Sequence, residues 1–135
     1  MKCSLSPEAA VAFADELAYD AQGLVPAVAQ QHDTGEVLML AWMDRAAVVE
    51  TLTTGRVTYY SRSRGQRWRK GETSGNIQQL VELRMDCDAD TLLVRIEQTG
   101  PACHTGQRSC FYRAADEAGV VAVNLDGDGC RPNGG

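Results

Sequence analysis

Apolar residues recur at helical spacing near the start of the chain, where Ala10, Phe13, Ala14, Leu17 and Ala21 fall on one helical face. Ser6-Pro7-Glu8 precedes them with a capping hydroxyl, a proline suited to the first helical position and an acid at the positive helix end. The pattern predicts a first helix from Pro7 that closes at Gly23. Leu24 to Gln31 then reads as a strand, and Pro26, which lacks a backbone donor, predicts an edge position for it. Asp33-Thr34-Gly35 predicts a hairpin turn into a second strand, Val37 to Trp42. Asp44 and Gly55 are the start and stop signals of a second, short helix, and Val57 to Ser61 reads as a third strand. Arg62 to Asn76 has no period and reads as a long polar loop. Two further strands are predicted, Ile77–Met85 and Thr91–Glu97, with Asp86 to Asp90 continuing the alternation between them.

Composition narrows the class. The chain has 135 residues and 44% hydrophobic content, which fits one globular domain. That domain is expected to span residues 1–125, with 126–135 a flexible, Gly- and Asp-rich tail. No apolar run approaches the ~20 residues of a membrane span. The start, Met1-Lys2-Cys3-Ser4, lacks the apolar core of a secretory signal. A reducing, cytoplasmic compartment is the expectation, and the five cysteines, which cannot all pair, then favour metal ligation over disulfides. Cys3 and Cys130, near the termini, are expected to be spectators. The net charge of −5 argues against general nucleic-acid binding. Yet six of the thirteen Lys and Arg residues lie between Arg56 and Lys70.

The chemistry concentrates in the 25 residues from Asp86 to Cys110. Asp86, Asp88 and Asp90 alternate with Cys87 and Ala89, so an extended strand would put the three carboxylates on one face and the thiol on the other. Oxygen ligands suit magnesium and thiolates suit zinc, which predicts two separate sites. Three like charges side by side also repel one another unless a cation intervenes. Cys87, Cys103 and Cys110 supply three thiolates, the usual number for a catalytic zinc that keeps one position open. Cys87 is free to serve a neighbouring subunit. His104 is either a fourth ligand or a general base. His32, in a turn, is assigned nothing. In the basic loop, Arg62, Arg64 and Lys70 are candidate phosphate grips, and Trp68 is a candidate base-stacking platform.

The strings LMLAWMD, SRSRGQRWRKGETSGNIQ, DCDADTLLVRI and GPACHTGQRSCFYR resemble, in that order, the motifs of phosphoribosyl-AMP cyclohydrolases. The resemblance runs from about Val25 to Arg113. It implies an α+β, mainly β fold, an intertwined homodimer and active sites at the subunit interface. It also implies Asp86, Asp88 and Asp90 as magnesium ligands, and Cys103, Cys110 and the partner's Cys87 as zinc ligands. His104 matches the family's catalytic histidine, and Arg62, Arg64, Trp68, Lys70, Glu72 and Ser74 are expected to hold substrate. The implied reaction is opening of the adenine ring of N1-(5-phosphoribosyl)-AMP at C6–N1 by zinc-activated water, a step of histidine biosynthesis. Arg67 and Arg69 depart from the family pattern by adding charge before Lys70-Gly71-Glu72. The competing reading is a non-enzymatic zinc module that binds nucleotides or nucleic acid, and the acidic charge and the Asp triplet weigh against it.

Overall fold

Ser6 caps the first helix as its sequence predicts: its Oγ accepts the Ala9 N–H at 3.2 Å, with Pro7 in the first turn. In the computed structural model, which describes residues 4–123, that helix, α1, spans Pro7–Asp15. It is shorter than the apolar spacing suggested. Past Leu17 the chain is held by other partners: the Ala18 N–H reaches the Ala89 carbonyl, and Asp20 Oδ1 accepts from Gln22 and Leu24. An Asx-type turn thus replaces the last predicted helical turn.

The elements that follow are β1 (Leu24–Gln31), β2 (Val37–Asp44), α2 (Arg45–Thr54), β3 (Thr58–Ser61), β4 (Gln66–Arg69), β5 (Gln78–Met85), β6 (Leu92–Gln98), β7 (Arg113–Asp116) and β8 (Gly119–Ala122). Asp44 Oδ1 accepts the Ala47 N–H at 2.8 Å to start α2, and Gly55, with φ of 76°, ends it. Six strands form one sheet in the order β4-β3-β2-β1-β6-β5, in which β1 and β6 run parallel and the other neighbours antiparallel. The fold is α+β and mainly β, as the sequence implied. β7 and β8 form a separate two-stranded sheet that the sequence pattern missed.

Three expectations are corrected. β1 is interior, not an edge. Its ladder with β6 begins at Ala27, one residue after Pro26, so the missing donor falls where that side of the strand is still unpaired. The polar segment after Arg62 contains β4, paired with β3 from Thr58↔Arg69 to Ser61↔Gln66. Asp86 to Asp90 is a turn rather than strand, since β5 stops at Met85. The tail 126–135, Cys3 and Cys130 lie outside the described residues.

Register explains the core. Val25, Ala27 and Ala29 share a face with Met39 and Met43 of β2 and with Leu92, Val94 and Ile96 of β6, and all are buried. Ala10, Ala14 and Leu17, from α1 and the residues after it, and Ala47, Val48 and Leu52 of α2 join them in one core cluster. The opposite face carries Pro26, Val28, Leu40, Trp42 and Leu93, none of them buried. Among the described residues no helix is long and apolar enough to cross a membrane.

The turn after β4 is held tightly. Gly71 has φ of 79°, and a Cβ there would lie 2.5 Å from the Asn76 carbonyl carbon and the Ile77 nitrogen. Left-handed backbone and a backbone overlap add, so Gly71→Ala is expected to cost about 3 kcal/mol. Urea unfolding checks this; an unchanged midpoint would mean the 71–76 turn is not formed in solution.

Candidate active site

Two backbone hydrogen bonds close the loop that carries the thiols: Ala102 N–H to the Arg108 carbonyl at 3.0 Å and Cys103 N–H to the Gln107 carbonyl at 3.1 Å. Its far end is fixed to β2. Buried Ser109 donates its hydroxyl to the Val37 carbonyl at 2.8 Å, and the Cys110 N–H donates to the Leu38 carbonyl at 2.7 Å. Local turn chemistry plus this docking brings Cys103 and Cys110 side by side. The Thr105 hydroxyl, 3.0 Å from Cys103 Sγ, holds that thiol below its ordinary pKa, helped by the Thr105 N–H. Desolvation, with the neighbouring Cys103 acting in the same sense, pushes the Cys110 thiol up to about 11. One thiol of the pair is thus easier to ionise than its neighbour, and a soft dication held between them would favour the thiolate form of both.

Cys87 is exposed and stands apart, since no group of three mutually close ligand atoms among the described residues combines it with Cys103 and Cys110. His104 is not in such a group either. A single chain thus offers two adjacent thiol donors, a set that fits zinc only once a further ligand is supplied.

The three aspartates do converge, by a route other than strand alternation. Ala89 adopts φ of 61°, and Asp86 Oδ1 accepts the Asp90 N–H at 3.0 Å and the Thr91 N–H at 3.3 Å. The turn brings one oxygen of each of Asp86, Asp88 and Asp90 within 4.8 Å of the others. Desolvation pushes the Asp86 carboxyl up, but the Asp90 N–H and the side chains of Asp90 and Asp88 outweigh it and hold it below the usual range. Asp88 is raised, chiefly by the carboxyls of Asp90 and Asp86. Mutual repulsion in an all-oxygen cluster fits a hard divalent cation such as magnesium.

A cleft of about 880 Å³, within the size range of small-molecule sites, opens at His104 of the thiol loop. His104 lines it together with Arg62, Arg64 and Trp68. Trp42 and Tyr60, paired across β2 and β3, line it too and were missed in the sequence. The alternation Leu40, Trp42, Asp44, opposite in phase to Met39 and Met43, is the signal that would have found Trp42. The Arg62 guanidinium lies 4.3 Å from the centre of the Trp42 ring, a cation–π pair. Trp68 leans on buried Tyr59, ring centres 5.2 Å apart.

The remaining predicted residues lie elsewhere. Lys70 is half-buried, and its Nζ donates to the Ala102 carbonyl at 2.8 Å. Burial lowers its pKa while Cys110 and Cys103 act in the opposite sense. Glu72 and Ser74 are exposed in the turn after Gly71, where Ser74 Oγ accepts the Asn76 N–H at 3.2 Å. Neither lines the cleft. Arg67 and Arg69 stand 3.7 Å from Asp44 and 3.8 Å from Glu50. His32 Nε2 lies 2.9 Å from Glu97, close to Asp33, in a cluster that the Gln31 amide bridges.

Comparison with known proteins decides the family. The family model for phosphoribosyl-AMP cyclohydrolase matches residues 39–112, more than half of the chain. A phosphoribosyl-AMP cyclohydrolase from Alkalilimnicola ehrlichii is 67% identical over 107 residues, 79% of this chain and 75% of that protein. Those from Granulibacter bethesdensis and Cereibacter sphaeroides are 66% and 68% identical, over 81% and 82% of this chain and 85% and 92% of theirs. The chain belongs to the phosphoribosyl-AMP cyclohydrolase family. It is an enzyme of that family, a hydrolase acting on a C–N bond in histidine biosynthesis.

Proposed function

We propose that the protein opens the adenine ring of N1-(5-phosphoribosyl)-AMP at the C6–N1 bond, as a zinc- and magnesium-dependent homodimer in the cytoplasm. The observation that carries the reading is that His104, chain neighbour of the paired thiol Cys103, shares one cleft with Arg62 and Arg64. A proton carrier and anion grips thus share one cleft, and the soft donor Cys103 is the chain neighbour of that proton carrier.

Zinc held by Cys103, Cys110 and the partner's Cys87 would supply Lewis-acid activation of the attacking water. His104 takes a proton from that water as it adds to C6 and returns one to N1 as the C6–N1 bond breaks. The exocyclic nitrogen then stays on C6 as a carboxamide. Arg62 and Arg64 bind phosphate oxygens, and the cationic cleft on a chain of net charge −5 draws in a substrate with two phosphates. Trp42 and Trp68 offer aromatic surface to the purine. Asp86, Asp88 and Asp90 would hold magnesium, which would supply positive charge at the substrate.

Two features support a dimer. Parallel strand pairs are ordinarily covered on both faces, yet the β1–β6 pair is covered on one and presents Val28 and Leu93 on the other. The β7–β8 hairpin exposes Val120 and Val121, and a lone two-stranded hairpin is marginal in water.

Turnover of phosphoribosyl-AMP, followed by product absorbance, is expected to vanish on chelation and return only when zinc and magnesium are both restored. Metallated, dimeric protein that turns over nothing but binds DNA in a salt-sensitive way would replace this reading with the zinc-module one.

A further inference from the structure

Lys70 sits at the end of β4 with little freedom. Its N–H donates to the Val57 carbonyl at 2.9 Å, and the next residue is Gly71, whose turn has no space for a side chain. From this fixed base the half-buried stem delivers Nζ to the Ala102 carbonyl, 2.8 Å away and 32 residues further along the chain. Ala102 is itself buried and immediately precedes Cys103.

The thiol loop is tied down on both sides, and Arg108 within it lies 3.4 Å from Glu36. On the Cys110 side, Ser109 and the Cys110 N–H tie it to β2. On the Cys103 side, the Lys70 contact ties the loop to the basic segment and brings the side-chain nitrogen within electrostatic reach of both thiols. Lys70 is absent from the lining of the cleft that holds Arg62, Arg64 and His104. The half-buried ammonium already commits one of its three N–H donors to the Ala102 carbonyl, on the side of the thiol loop.

We propose that Lys70 is a positioning residue for the metal-holding thiols, fixing the Ala102–Cys103 backbone and balancing thiolate charge, and not a phosphate ligand. The inference rests on the zinc reading above. Groups that orient metal ligands from behind set affinity for the ion, and their loss commonly weakens it about 10- to 100-fold.

The test is zinc affinity by competition with a chromophoric chelator, alongside steady-state kinetics. Lys70→Met keeps the stem and removes the ammonium. It is expected to weaken zinc binding about 10- to 100-fold and to lower kcat at limiting zinc, with KM for the nucleotide nearly unchanged and excess zinc restoring turnover. Lys70→Arg, which keeps donor and charge, is expected to recover most of the zinc affinity. If Lys70→Met does not fold, Lys70→Gln gives the same reading. Unchanged zinc affinity with a raised KM in the variant would overturn the positioning role and restore the phosphate role. A wild-type protein that binds no zinc would instead overturn the metal reading, and this inference with it.

Discussion

Cys103→Ala is expected to lose zinc and turnover together. Cys103 is buried beside Cys110, and its thiol is the one of the pair whose surroundings favour ionisation, through the Thr105 hydroxyl and N–H. Cys110 resists ionisation, with its pKa pushed up to about 11 by burial. Removing Cys103 deletes the readier thiolate and leaves a neutral thiol facing a methyl group. Metal activation contributes several kcal/mol, so turnover should fall on the order of a thousandfold or more. The fold should survive, because the loop is closed by backbone bonds at Ala102 and Cys103 that an alanine keeps. Metal analysis, circular dichroism and the turnover assay on the same preparation separate these effects. A folded Cys103→Ala protein with full activity would sink the role assigned to zinc. Because a metal must displace the Cys110 proton, zinc affinity of the wild type should also fall as pH is lowered.

What the sequence made legible was what neighbours along the chain decide. The Ser6 and Asp44 caps and the Gly55 stop are each settled within four residues, and all three stand where their residue types predicted. The thiol loop belongs to this class only in part: its turn is local, but its Ser109–Cys110 end is set by docking on β2. What escaped depends on distant partners. β4 is a strand because β3 pairs with it, and no property of Gln66-Arg67-Trp68-Arg69 alone says so. α1 ends early because Ala18 finds the carbonyl of Ala89. Alternation along a strand predicts one site for the aspartates, and they do converge, but a turn gathers them and not a pleat. Charge and proximity in sequence group Lys70 with Arg62 and Arg64. The end of β4 sends it to the thiol loop instead, while the arginines stay in the cleft.

Mixing two inactive variants is expected to regenerate activity. Cys87 stands apart from Cys103 and Cys110 within one chain, although all three are the soft donors the sequence offers in this region. If Cys87 serves the partner's thiol pair, each dimer holds two sites, each built from one Cys87 and the other subunit's Cys103 and Cys110. Cys87→Ala and Cys103→Ala homodimers then have no intact site. A mixed dimer has one, because the Cys103→Ala chain still gives its Cys87 to the intact pair on the Cys87→Ala chain. Random exchange makes about half the dimers mixed, so about a quarter of wild-type activity should return. The same arithmetic predicts about a quarter of the wild-type zinc, read independently of turnover. If Cys87 belonged to its own chain's site, no mixture would recover anything, since every site would lack a ligand. Mixing Cys103→Ala with Cys110→Ala is the internal control: both losses fall on the same pair, so each mixed dimer keeps no complete set and activity should stay absent.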